Sequence, residues 1–205
     1  MYVQKHAGRA SATRQSRDVL VRALAERNPA LSPHLQDVAL LAEQVARHLA
    51  LPEDEVDRIR HAAELHDTGK VAIPDDILSK PGPLDEREWQ FIRSHTLIGE
   101  RIIAAAPALT EVASLVRSSH ERWDGGGYPD RLAGAEIPLG SRILAVADSF
   151  DAMTGDRPYS GPRTPEDALR ELRDCAGTQF DPVVVEAFCA IWAARNALAV
   201  EAAGR

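Results

Sequence analysis

Between Glu64 and Lys70 the chain reads ELHDTGK, which sets an imidazole, a carboxylate and an ammonium close together. Two later segments add to it: HERWDGGGYPD from His120 to Asp130, and ADSFDAMTGDRPY from Ala147 to Tyr159. Four of the seven histidines, His34, His66, His95 and His120, fall at or near the ends of different helical segments, as in sites assembled between bundled helices. Asp67 beside His66 offers an anionic oxygen that could bridge two cations. Asp148 and Asp151, three apart on one helix, can look toward the same region. Neutral imidazoles with carboxylates and no thiolate suit iron, manganese, zinc or similar divalent ions. The chemistry this implies is metal-assisted attack of water on a phosphate ester, with Lys70 placed to face the phosphate.

Each residue also has a plainer reading. A His-Asp pair at a helix C-terminus can be a dipole contact, and Lys70 can simply neutralise that helix end. Taken alone, Asp148 is equally an ordinary buried acid paired with an arginine such as Arg142. Gly125, Gly126 and Gly127 alone signal a turn, but their place between His120–Glu121 and Tyr128–Pro129 points to a loop that shapes a site. His48 and His61 are assigned no role, since His61 points to a different helix face from His66; His6 is solvated.

The elements that position these residues are helical, because apolar residues recur at three and four positions and strand-like alternation is scarce. The pattern predicts an all-α single-domain bundle: a flexible leader over 1–16, the domain over 17–195 and a short tail over 196–205. The first helix is expected from Asp18 to Arg27. The second starts at Ser32-Pro33 and runs to Leu49, with Val38, Leu41, Val45 and Leu49 as its stripe. The third opens at Pro52–Glu55 and ends near His66, with Gly69 as its stop. A fourth begins near Asp85 and continues past His95 to Ile102. Others cover Leu109–His120 and Leu139–Gly155, the latter with Ile143, Leu144, Ala147 and Phe150 facing inward; two more start at Thr164-Pro165 and Asp181-Pro182.

At 205 residues and 44% hydrophobic, the chain can bury one substantial core. A net charge of −7 argues against a nucleic-acid polymer or an anionic membrane as partner, so a phosphate ligand must be held by local cations. Only Cys175 and Cys189 are present, which excludes a disulfide framework and fits a reducing, cytoplasmic setting. No run of apolar residues is long enough to span a membrane.

HDTGK, His95, HERWDGGGYP, ADSFDAMTGDRPY and the following GTQFDP together resemble the HD-GYP family, a branch of the HD-domain metal-dependent phosphohydrolases, over about Asp18 to Trp192. The resemblance implies a helical fold, two or three divalent metals, often iron or manganese, and hydrolysis of cyclic di-GMP to pGpG and in some members GMP. By position, His34, His66, Asp67 and Asp148 match the ligands of one metal, with Asp67 bridging to a second that His95 and His120 serve. Lys70 matches the lysine at the scissile phosphate and Arg157 an arginine that grips phosphate; Tyr128 and Asp151 are further expected substrate contacts, and Asp67 and Lys70 the expected catalytic pair. Three positions depart from the family pattern. Ser119 stands where members carry a second histidine, so the second metal is expected to bind weakly, to take water at that position or to be absent. Ala30 replaces the glutamate of trinuclear members, which implies two metals at most, and Ser160 replaces a basic substrate contact, which loosens the preference for cyclic di-GMP. Alternative readings are a phosphohydrolase of another cyclic or linear nucleotide, and a weakened module that binds nucleotide or protein. A homodimer and a diguanylate cyclase or sensor partner are both compatible with the resemblance.

Overall fold

A computed structural model describes residues 2–27, 31–155 and 161–203, with side chains over 11–26, 34–155 and 161–195. Among the described residues every regular element is a helix, joined by turns and loops, with one isolated bridge between Ala176 and Phe180. Helix α1 (Tyr2–Arg27) starts well before Asp18, through residues where a leader is expected. Its Thr13 hydroxyl donates to the Ala108 carbonyl (3.2 Å) and Arg17 reaches Glu64 (3.3 Å), so this helix is seated on the bundle.

Helices α2 (Leu31–His48), α3 (Glu53–Leu65) and α8 (Leu139–Thr154) form the centre. The expected stripes face inward: Val38 and Val45 of α2, and Ile143, Leu144, Ala147 and Phe150 of α8, are buried, while Leu49 is only partly covered. Val56, Ile59, Ala62 and Ala63 supply the matching face of α3. Three acids in its first turn, Glu53, Asp54 and Glu55, complement the helix dipole. Helix α9 (Pro165–Asp174) is capped by the Thr164 hydroxyl, which accepts from the Asp167 amide at 3.1 Å. Helix α10 (Pro182–Ala203) packs Phe188 and Trp192 against Phe150, with ring centroids 4.9 and 4.6 Å apart, and runs through residues where a tail is expected.

Between α3 and the next helices the chain makes a 3-10 turn (Thr68–Ala72) and one short helix, α4 (Asp75–Leu78). Helix α5 (Glu86–Arg93) opens on a capping box: Asp85 accepts from the Glu88 amide (2.9 Å) and Glu88 from the Asp85 amide (2.7 Å). It is interrupted at Ser94, and α6 (His95–Ala104) starts at the next residue, so the single helix expected from Asp85 to Ile102 is two. Helix α7 (Thr110–Arg117) follows, shorter than expected, with His120 just beyond it. No helix among the described residues is long and apolar enough to cross a membrane.

Candidate metal centre

Helix ends set the histidines. His66 is the first residue past α3, and its Nδ1 donates to the Ala63 carbonyl at 2.8 Å, one of the terminal carbonyls that has no helical donor. A carbonyl only accepts, so Nδ1 carries a proton, and Nε2 is turned toward two carboxylates, 3.5 Å from Asp67 Oδ1 and 3.6 Å from Asp148 Oδ1. The break at Ser94 does the same for His95: its Nδ1 takes the Ile92 carbonyl at 2.6 Å. A continuous helix would have used that carbonyl internally. His34, in the first turns of α2, places Nε2 3.4 Å from Asp148 Oδ1 and sets Nδ1 directly against Asp151 Oδ2.

One cluster results. Ligand atoms of His34, His66 and Asp67 lie within 4.8 Å of one another, Asp148 adjoins both histidines, and the His34 and His66 rings are 5.8 Å apart. His95 and His120 form a second pair with centroids 4.9 Å apart, and Tyr128 stacks on His120 at 5.2 Å with the planes 10° apart. The Lys70 ammonium donates to Asp67 Oδ2 at 2.7 Å from the 3-10 turn. The glycine-rich loop is tied down by the Tyr128 amide on the His120 carbonyl (3.1 Å) and the Asp130 amide on the buried Glu121 carboxylate (2.7 Å). A β-carbon on Gly127 would lie 2.3 Å from the Arg122 amide nitrogen, so only glycine lets the loop fold back onto His120–Arg122.

The charges are those of a cation site. Burial opposes the Asp67 charge, yet His66 and Lys70 outweigh it and hold the carboxyl below the usual carboxylate range. Asp148 is likewise held ionised against its burial, by hydrogen bonds from His34 and His66. Hydrogen bonds to Asp148 and Asp151 raise His34 to about 9, whereas burial, assisted by His95, pushes His120 down to about 4 and keeps it a neutral donor. Buried Asp67 Oδ1 and His95 Nε2 have no hydrogen-bond partner among the described residues. A buried carboxylate oxygen and an imidazole lone pair left unpaired are costly, and divalent cations held by these nitrogens and oxygens would satisfy both. The donor set therefore fits the metals that the residue pattern implies.

The structure thus brings together His34, His66, Asp67, Lys70, His95, His120, Asp148, Asp151 and Tyr128. Of the expected substrate contacts, Asp151 lies against His34 and Tyr128 stacks on His120. Arg142 pairs with Asp181 at 2.6 Å, which removes it as a partner of Asp148. The Ser119 hydroxyl turns away from the cluster and donates to the Val116 carbonyl at 2.9 Å. Gly69 does not act as a helix stop: a β-carbon there would meet the His95 carbonyl oxygen at 1.8 Å and the Gly99 nitrogen at 2.7 Å, so it is a contact glycine. Its counterpart Gly99 has no signal in the sequence. Ala30, Arg157 and Ser160 lie outside the described residues.

A family model for the HD domain matches residues 18–184. The chain is 45% identical over 157 residues to the cyclic di-GMP phosphodiesterase of Thermotoga maritima, covering 76% of this chain and 43% of that protein. It is 43% identical over 175 residues to the 3′3′-cGAMP-specific phosphodiesterase 2 of Vibrio cholerae, covering 84% of this chain and 34% of that protein. It therefore spans less than half of the length of these two curated relatives. Among solved structures, an HD-GYP-type protein from Bdellovibrio bacteriovorus superposes with a TM-score of 0.65 at 17% identity, covering 79% of this chain and 52% of that one, which bears on the fold. With its His66–Asp67 pair and its Gly127–Tyr128–Pro129 loop both built into one cluster, the chain belongs to the HD-domain family, in its HD-GYP branch.

Proposed function

We propose that this chain hydrolyses a phosphodiester bond of a cyclic dinucleotide, with cyclic di-GMP as the first substrate and pGpG as the product. The observation that carries this reading is the pair of unpartnered buried atoms, Asp67 Oδ1 and His95 Nε2, within a cluster of four histidines and two aspartates. Divalent cations bound by these residues, iron or manganese on the family pattern, would supply Lewis acidity and lower the pKa of water toward neutrality. His34 and His66, giving up the protons that the neighbouring carboxylates now hold on them, would join Asp67 and Asp148 around one cation, and Asp67, His95 and His120 would hold the other. Asp67 stays ionised under these conditions because His66 and Lys70 hold it so. Lys70, anchored on Asp67 Oδ2 at 2.7 Å, offers its remaining protons to the phosphoryl oxygens as negative charge builds there. Asp151 and the Ala63 and Ile92 carbonyls fix the ring orientations, so little reorganisation is needed when substrate arrives. In the reaction, the water oxygen bonds to phosphorus, the bond to the 3′ oxygen breaks, and that oxygen takes a proton. A 5′-phosphate and a 3′-hydroxyl remain.

The relatives named for 3′3′-cGAMP make the mixed guanine–adenine ring the second candidate. The test is direct. Protein purified without oxygen and loaded with iron or manganese should linearise cyclic di-GMP, and His66→Ala or Asp67→Ala should lower the rate by at least about a hundredfold. Two bound metal equivalents with no turnover of either cyclic dinucleotide would sink the reading.

A further inference from the structure

Beside His120 lies a groove of about 860 Å³, walled by the C-terminal half of α5 on one side and the glycine-rich loop on the other. Its chemistry is unlike the rest of this acidic chain. Three guanidinium groups, Arg93, Arg122 and Arg131, line it together with Trp89, and none of the described residues lining it is acidic. Trp89 is 42% exposed, with Arg93 Cζ 5.9 Å from the centre of its ring. Arg122 is held in a fixed pose: Asp124 grips it at 3.0 and 2.6 Å and Gln179 accepts from it at 3.2 Å. Besides Trp89, Arg93 reaches the exposed Glu86 carboxylate at 3.4 Å. Arg131 has no acidic partner within salt-bridge distance among the described residues, and its φ of 57° lies in the left-handed region that favours glycine. An arginine there carries a backbone cost that a glycine would avoid, while its side chain reaches an otherwise cationic groove.

Resting on the phosphodiesterase reading, we propose that this groove is the subsite for the half of the dinucleotide that is not being cleaved. One purine stacks on Trp89 and the second phosphate is held between Arg93, Arg122 and Arg131. The groove shares His120 with the cluster, and the His120 ring lies 4.9 Å from that of His95, so a ring whose scissile phosphate sits at the cluster would have its other nucleotide within reach of this wall. An aromatic face takes any purine, and base stacking of this kind is worth roughly ten- to a hundredfold in affinity. Guanidinium forks suit a phosphate diester better than ammonium groups do. The subsite thus selects for a dinucleotide over a smaller phosphate ester, and accepts guanine and adenine alike.

The experiment compares two substrates on the metal-loaded chain: cyclic di-GMP, and bis(p-nitrophenyl) phosphate, which is too small to fill both the metal centre and the groove. Trp89→Ala and Arg131→Gly should each raise KM for cyclic di-GMP by about tenfold or more. The kcat for cyclic di-GMP and turnover of the aryl ester should stay within about threefold of the parent. Arg131→Gly removes the guanidinium while relieving the left-handed backbone, so it should melt no lower than the parent. An unchanged KM for cyclic di-GMP overturns the proposal, and so does parallel loss of both activities in Arg131→Gly, which would mark Arg131 as a prop for the loop. If the parent turns over neither substrate, the hydrolase reading fails by itself. The groove is then judged by equilibrium binding of pGpG: weakening by Arg131→Gly keeps the subsite, and an unchanged Kd overturns it.

Discussion

Ser119 sits next to His120 and yet turns its hydroxyl away from the His95–His120 pair. Its hydroxyl is bonded back to the Val116 carbonyl, and the residue is buried. A small cavity of about 50 Å³ lies beside it, lined by His120, Asp148 and Phe180 among others, so a larger side chain has some room. Ser119→His should therefore add a nitrogen donor on the His120 side, raise metal content toward two equivalents per chain and increase turnover. Metal analysis of the anaerobically purified variant with a rate measurement checks this; unchanged metal content and rate would show that the serine is not what limits the site. At this scale the sequence was readable where chemistry is local. His66, Asp67 and Lys70 are neighbours in the chain, and spacing alone places them together, although the Lys70 ammonium rests on Asp67 itself. The partners of Asp151 and Arg142 could not be read that way, because each is fixed by a distant residue: His34 for one, Asp181 for the other.

Elements decide whether the two halves of the site meet. The turn carrying Lys70 touches the start of α6 at Gly69 and Gly99, where a β-carbon on Gly69 would lie 1.8 Å from the His95 carbonyl oxygen. Backbone cannot yield as a flexible side chain does, so Gly69→Ala must push α6 away and carry His95 from Asp67. The expected loss is about 3 kcal/mol of stability together with weakened metal binding. Gly161→Ala serves as the control, since nothing lies within 4 Å of the added carbon. Thermal melts with and without metal decide it: equal melting of the two variants would mean that the turn and α6 can separate freely. The break at Ser94 belongs to the same scale. Apolar spacing ran on through Ile92, His95 and Ile98, so periodicity alone predicts one helix; the break shows only in where the Ile92 carbonyl goes. The starts of α5 and α9 were legible because their caps are written in adjacent residues.

Across the whole molecule, the stripes of α2 and α8 and the fold class followed from periodicity, but the residues that periodicity set aside did not all prove inert. His61 is one. It is 3% exposed between α3 and α1, and neither ring nitrogen has a hydrogen-bond partner among the described residues. Burial, followed by the nearby charges of Arg17 and Arg60, pushes it down to about 4, with Asp57 and Asp18 opposing more weakly. In the unfolded chain it titrates near 6.5. Above that value His61 is neutral in both states and contributes no pH dependence. Between about 6.5 and 4 the unfolded chain takes up a proton that the folded one refuses, so stability falls as the pH drops through this window and levels off below it. By pH 5 the loss is on the order of 2 kcal/mol. His61→Leu fills the same apolar surroundings without a titrating ring, so its stability relative to the parent should improve by about that amount between pH 7 and pH 5. Taking the difference between the two proteins cancels the histidines of the metal cluster, which titrate in both. Urea unfolding at the two pH values measures it, and a gap that does not change with pH would mean that His61 is protonated, or hydrated, inside the fold.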